Sequence, residues 1–174
     1  YKGNRKAPKP IHAPALRDYL SRHYEANMSV DEEADDVVAY SHYKMYLNDP
    51  ESSMICSVDK DLMMVPGYHY NFVTEVGRFI TPEAGLLLFQ KQMITGDATD
   101  NIPGVPGKGK VAAEALDTMM VFERWQHILN LYLHAYPYKN DAREAILENG
   151  RLLWMRLEPN QWWQLPEEIQ ETTE

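Results

Sequence analysis

Cysteine is nearly absent from this 174-residue sequence. Cys56 stands alone, which excludes an internal disulfide framework and any Cys-based zinc site and suits a reducing compartment such as the cytoplasm. No apolar run is long enough for a membrane span: the longest stretch without formal charge, Trp125 to Tyr138, contains Gln126, His127 and Asn130 and falls short of the ~20 apolar residues required. Cations are the scarcer charge, 17 Lys and Arg against 26 Asp and Glu, and the net charge of −9 argues against a general polyanion binder. The opening Tyr1-Lys2-Gly3-Asn4-Arg5-Lys6 has neither an initiator Met nor the charged-then-apolar pattern of a secretion signal, so the sequence is expected to be a fragment of a longer polypeptide. What is present suffices for a real core, since 44% of the residues are apolar and the length suits a single domain.

Charge is unevenly placed along the sequence. The first ten residues carry Lys2, Arg5, Lys6 and Lys9 with no acid, and Pro8 and Pro10 keep the end of this arm from becoming helix. Between Ser29 and Asp61 stand Asp31, Glu32, Glu33, Asp35, Asp36, Asp49, Glu51, Asp59 and Asp61 against only Lys44 and Lys60. From Asn101 to Val111 the acids vanish, and the tail after Pro166 is acidic and expected to fray.

Periodicity supplies a frame for these poles. Pro14 to Glu25 reads as a helix, and Ser29-x-x-Glu32 is a capping box for a second helix running to Leu47, with Val30, Ala34, Val37, Ser41 and Met45 as its apolar stripe. Met54 to Val58 reads as a buried parallel strand, Tyr68 to Val73 with Val76 to Ile80 as a hairpin around Glu75, and Thr81-Pro82-Glu83 as the cap of a helix ending near Gly96. Lys110 to Asp117, Val121 to Ala135 and Ala142 to Leu157 complete a helical second half. Helices around a strand whose C-terminal end carries acids indicate an α/β layer fold with ligands at that strand end.

Three acidic clusters stand out: Glu33-Ala34-Asp35-Asp36 at a helix start, Ser57-Val58-Asp59-Lys60-Asp61 at a strand end, and Gly96-Asp97-Ala98-Thr99-Asp100-Asn101 in a turn. Singly, each fits a plain structural role: a complement to the helix dipole, a solvated turn, or an Asx cap. If all seven carboxylates converge, each like-charged pair near 4 Å repels by up to roughly 4 kcal/mol at an effective dielectric of 20, and a compensating cation is required. All-oxygen donors suit Mg²⁺ or Mn²⁺, and two such ions imply phosphoryl-transfer chemistry. The histidines His12, His23, His42, His69, His127 and His134 form no ligand pattern.

The third cluster leads directly into Ile102-Pro103-Gly104-Val105-Pro106-Gly107-Lys108-Gly109-Lys110. Glycines here let backbone N–H groups approach an anion, and Lys108 and Lys110 add charge. The stretch is not a Walker A loop, because Val111 replaces the Mg²⁺-binding Ser/Thr and no strand precedes it. A loop gripping nucleic-acid phosphates beside a metal cluster accounts for both lysines.

Four pieces in order, Tyr1-Lys2-Gly3-Asn4-Arg5, Glu33-Ala34-Asp35-Asp36, Ser57-Val58-Asp59-Lys60-Asp61-Leu62 and Gly96-Asp97-Ala98-Thr99-Asp100-Asn101-Ile102-Pro103-Gly104-Val105-Pro106-Gly107, resemble the phage 5′–3′ exonucleases and flap endonucleases, relatives of the 5′-nuclease domain of bacterial DNA polymerase I. The likeness spans Tyr1 to about Leu116, and the family's first aspartate-bearing strands would precede Tyr1. It implies a three-layer α/β core with a central, mostly parallel sheet, part of a helical arch, and a helix-three-turn-helix element. Residues 1–95 would form the partial catalytic core, and residues 96–174 the DNA-binding and C-terminal helical region of the same compact unit. The resemblance further implies that Glu33, Asp35, Asp36, Asp59, Asp61, Asp97 and Asp100 bind two Mg²⁺ or Mn²⁺ ions and that Lys2 and Arg5 contact the scissile phosphate. Tyr1 would stack on a terminal base. Lys6, from the basic arm, and Gly104, Gly107, Lys108, Gly109 and Lys110 would meet DNA, with a K⁺ ion held by the loop's carbonyls. The implied substrate is DNA with a 5′ end, flap or junction, or an RNA–DNA hybrid, cut to a 5′-phosphate and a 3′-hydroxyl. A fragment without the front strands could instead bind DNA junctions without cutting. Elsewhere, Trp125, Trp154, Trp162 and Trp163 are expected in the core with Met63, Met64, Met119 and Met120, and Cys56 buried in its strand.

Overall fold

The computed structural model describes residues 10–167. Among these residues the chain forms six α-helices, two 3₁₀ turns and a three-stranded sheet, a mixed α/β architecture. Helix α1 (Ala13–Tyr24) starts with a proline in its first turn, ends at Glu25 in the left-handed conformation (φ 53°), and buries none of its residues.

Helix α2 (Ala34–Asn48) begins four residues later than the Ser29 capping box suggests, with Glu33 in the N-cap position and no side-chain cap. Glu32 is drawn elsewhere: its carboxylate accepts hydrogen bonds from the Tyr40 hydroxyl (3.0 Å) and the Arg156 guanidinium (3.1 Å). The later start also changes which face is buried. Ala39 and His42 are covered and Tyr43 half-covered, whereas Val30, Val38 and Met45 are exposed. The expected stripe of Val30, Ala34, Val37, Ser41 and Met45 is therefore not the inner face.

Strand β1 (Met54–Cys56) pairs in parallel with β2 (Gly67–Asn71), and β2 pairs antiparallel with β3 (Val76–Ile80). The sheet is thus half parallel among the described residues, not mostly parallel. Strand β1 is covered on one face only: Ile55 is buried, while Met54 and Cys56 on the opposite face are exposed, contrary to the expectation of a buried, inert cysteine. The hairpin turns where expected, with Glu75 at φ 57° and the Asn71 side chain accepting from the Val73 and Thr74 amides at 3.0 Å each.

Helix α3 (Pro82–Thr95) opens as the Thr81-Pro82 pair predicts, the Thr81 hydroxyl accepting from the Ala84 amide at 3.1 Å. Its Gly85 is required by packing, because a Cβ there would run into the Met64 carbonyl of the 3₁₀ turn Asp61–Met64. A short helix α4 (Lys110–Glu114) passes into a second 3₁₀ turn, Ala115–Thr118, and α5 (Val121–Ala135) and α6 (Lys139–Leu153) follow. Helix α6 starts and ends earlier than expected, leaving Trp154 to Leu157 non-helical.

The main core lies among α3, α5 and α6, where Phe89 meets Trp125, Trp154 and Trp163 edge-on at centroid distances of 6.0, 4.8 and 5.6 Å. Trp162 is the exception among the tryptophans and is 64% exposed; Met120 is exposed as well, with Met119 half-buried and Met64 buried. A buried hydrogen-bonded chain fastens this core to the loop after α3: the Tyr132 hydroxyl donates to the Met93 carbonyl (2.8 Å), and the Asn149 amide donates to the Tyr132 hydroxyl (2.7 Å) and the Gly104 carbonyl (3.2 Å). A second, smaller core gathers Ala39, Ile55, Leu62 and Val65, and Met155 packs against both. The segment after α6 thereby joins the sheet end of the protein to its helical half.

Candidate functional site

At the C-terminal end of β1 the ladder continues one step, with the Ser57 amide donating to the Tyr70 carbonyl at 3.0 Å. Nested side-chain turns follow. The Ser57 hydroxyl accepts from the Asp59 amide, and Asp59 Oδ1 accepts from the Asp61 amide, each at 3.0 Å. These bonds fix Asp59 and Asp61 where the chain enters its 3₁₀ turn. Gln92, two helical turns beyond Gly85 on the same face of α3, donates from its amide to Asp61 Oδ1 at 2.5 Å.

Asp97 follows α3 and closes its own loop. It exchanges both backbone bonds with Ile102 (2.9 and 2.8 Å), and its Oδ1 accepts from the Thr99 amide at 2.7 Å and the Asp100 amide at 3.4 Å. The pinch is possible because Gly96 (φ 66°) and Gly104 (φ 64°) lie back to back; a Cβ on Gly104 would stand 2.6 Å from the Ile94 carbonyl oxygen. Asp97 is only 7% exposed, and its remaining oxygen, Oδ2, accepts from Lys60 Nζ at 2.6 Å. The same ammonium lies 3.1 Å from Asp61 Oδ1. Burial works against the charge of Asp97, but the bonds from Lys60 and from the Thr99 and Asp100 amides outweigh it and hold the carboxyl below the usual value. Partial burial likewise opposes the charge on Lys60, but its bonds to Asp97 and Asp61 prevail and raise it above an ordinary lysine.

All seven carboxylates singled out in the sequence, Glu33, Asp35, Asp36, Asp59, Asp61, Asp97 and Asp100, line one cleft of about 640 Å³, together with Asp31 and Glu32. Its other wall is the segment from Arg151 to Trp163. Arg156 there binds Asp36 through Nε (2.8 Å) and its backbone amide (3.1 Å), besides its bond to Glu32. The two cations that offset the acids, Lys60 and Arg156, were not singled out by motif. Lys60 could have been suspected from its place between Asp59 and Asp61, whereas Arg156 meets an acid 120 residues away and left no local signal. Arg151, Gln92 and the exposed Trp162 also line the cleft, and no local motif marks them as site residues.

Among the described residues no group of three or more His, Cys, Asp or Glu side chains is arranged to hold a metal ion. The donor chemistry nevertheless suits a hard divalent cation, since many carboxylates of three segments face one space and two of them, Asp61 and Asp97, already share a positive charge.

The Gly/Pro loop divides into two parts. Gly104 is buried and its carbonyl is taken by Asn149; Gly107 (φ 71°), Lys108, Gly109 and Lys110 are exposed, and Lys110 makes an open ion pair with Glu114 at 3.6 Å. Tyr1, Lys2, Arg5 and Lys6 lie outside the described residues.

The fold and cleft define a mixed α/β protein with an acidic groove at a strand end. The T5 D15 protein, whose crystal structure was obtained with metal ions co-crystallised, superposes on 88% of this chain with a TM-score of 0.63 at 21% sequence identity. This chain spans 66% of the length of that structure. At that identity the likeness is one of fold. No protein-family model matches the sequence.

Proposed function

We propose that the chain belongs to a metal-dependent 5′-nuclease that hydrolyses DNA phosphodiesters near 5′ ends or flaps. The observation that carries this reading is the gathering of all seven motif carboxylates along one cleft, in a fold shared with a protein co-crystallised with metal ions. Glu33, Asp35 and Asp36 from the start of α2, Asp59 and Asp61 after β1, and Asp97 and Asp100 after α3 would hold two Mg²⁺ or Mn²⁺ ions. Bound there, the ions would ease deprotonation of an attacking water and the build-up of charge on the leaving oxygen.

The chain's own residues supply position and counter-charge. Lys2 and Arg5 would contact the scissile phosphate, with Tyr1 stacked on a terminal base and Lys6 beside the strand. The exposed Gly107, Lys108, Gly109 and Lys110 would grip duplex phosphates by backbone N–H groups and charge. Gly104 would act from below by shaping this loop, and carbonyls of the loop would take K⁺.

A second reading is a DNA-junction binder that does not cut. It is favoured by the Lys60 and Arg156 ion pairs, which already offset part of the cleft's charge. A labelled 5′-flap duplex separates the two. The nuclease reading expects product with Mg²⁺, none with EDTA, and loss of product but not of binding in Asp59→Asn. Metal-independent binding with no product at any Mg²⁺ concentration would leave only the junction binder.

A further inference from the structure

Lys60 touches two of the carboxylates that would have to receive a cation. Its ammonium stands 2.6 Å from Asp97 Oδ2 and 3.1 Å from Asp61 Oδ1, and so ties the turn after β1 to the loop after α3. Both oxygens of Asp97 are engaged, as is Oδ1 of Asp61. Asp97 Oδ1 is committed to the Thr99 and Asp100 amides, and Asp61 Oδ1 also receives Gln92. Asp97 is buried, so Oδ2 is the oxygen it can offer to the cleft. A divalent ion of the Mg²⁺ type binds carboxylate oxygens at about 2.0–2.1 Å. At Asp97 Oδ2 it would stand within a few Å of the Lys60 ammonium, and the repulsion between the two like charges makes them compete for that oxygen.

Lys60 also has somewhere to go. Its side chain is 58% exposed and lines a second cavity of about 200 Å³, bounded by Met63, Tyr70, Asn71, Thr74 and Arg78. Asp59 lines both this cavity and the acidic cleft, so the two spaces adjoin at the residue next to the lysine.

We infer that Lys60 is a built-in counter-ion that holds Asp61 and Asp97 together in the metal-free protein, competes with the divalent cation for them, and swings toward the second cavity when that cation binds. The inference rests on reading the cleft as a cation site. It makes Lys60 a positioning residue that sets the apparent affinity for metal, because the intrinsic affinity is reduced by the fraction of molecules in which the ion pair is open.

The test is a Mn²⁺ titration followed by electron paramagnetic resonance, using the parent chain, Lys60→Met and Lys60→Arg, with near-ultraviolet circular dichroism to confirm the fold. Lys60→Met should bind Mn²⁺ about tenfold tighter or more, and Lys60→Arg, which keeps a cation, should stay near the parent. The Mn²⁺-induced rise in melting temperature should be larger for Lys60→Met than for the parent. Equal affinity in parent and Lys60→Met would overturn the competition while leaving the cation site standing. Absence of Mn²⁺ binding in all three proteins would overturn both.

Discussion

Replacing Arg156 by Gln removes the cation that fastens the segment after α6 to the start of α2. The guanidinium and the Asp36 and Glu32 side chains are 15%, 19% and 29% exposed, so the group is neither a free surface pair nor fully buried. Exposed pairs contribute about 0–1 kcal/mol, and breaking a buried one costs about 3–5 kcal/mol. The intermediate exposure places the loss at about 2–3 kcal/mol, or a fall in melting temperature of about 7 °C for a chain of this size. Gln cannot offset the two carboxylates, which would face Asp31, Glu33 and Asp35 across the same cleft. Urea denaturation followed by tryptophan fluorescence is a suitable assay, with Trp154 two residues from the change. Adding Glu32→Gln and Asp36→Asn to Arg156→Gln should recover about half of the loss, because stranded charge is the larger part of the penalty. Stability of Arg156→Gln within about 0.5 kcal/mol of the parent, against the range for breaking a buried pair, would refute this account of the wall.

Two further perturbations probe the framework. Gly104→Ala should cost about 3 kcal/mol or more by urea denaturation, since it combines a left-handed backbone with a Cβ at 2.6 Å from the Ile94 carbonyl; a loss below about 1 kcal/mol would mean that the loop opens without strain. His42 and His69 are held below the ordinary histidine value by burial, which outweighs the bonds to the Pro66 and Val65 carbonyls. Their unfolded forms take up protons below pH ~6.5 while the folded forms resist. Stability conferred above that pH is therefore lost as pH falls toward the folded-state values, by up to about 1.4 kcal/mol per pH unit for each histidine. His42→Gln should flatten the stability profile below about pH 6.5, and an unchanged slope would count against this assignment.

The elements that could be read from the sequence are those whose signals are local. Thr81 caps its own helix three residues on, Asn71 organises the turn it begins, and Asp97 binds the amides of Thr99 and Asp100. Each needs only neighbours in the chain, so residue type and spacing suffice. The start of α2 was misjudged for the converse reason. Ser29-x-x-Glu32 has the right local pattern, but Glu32 is claimed by Arg156 and Tyr40, and one partner lies 124 residues along the chain. Strand alternation likewise decided the exposure of Cys56: it points to the face opposite the buried Ile55, and an apolar run does not announce that one of its two faces stays uncovered. For the site, the carboxylates were legible as clusters and their shared cleft is a fact of tertiary structure. The compensating roles of Lys60 and Arg156 are not legible locally, since clustered like charges stand out in a sequence more readily than the single groups that neutralise them.

The proposed binding of divalent cations by these carboxylates is open to a diffraction experiment. Crystals of the chain soaked in Mn²⁺ should show anomalous density within the cleft, in contact with Asp97 and at least one of Asp59, Asp61 or Asp100, with the Lys60 ammonium displaced. Anomalous density only outside the cleft, or none at millimolar Mn²⁺ with Lys60 still seated on Asp97, would contradict it.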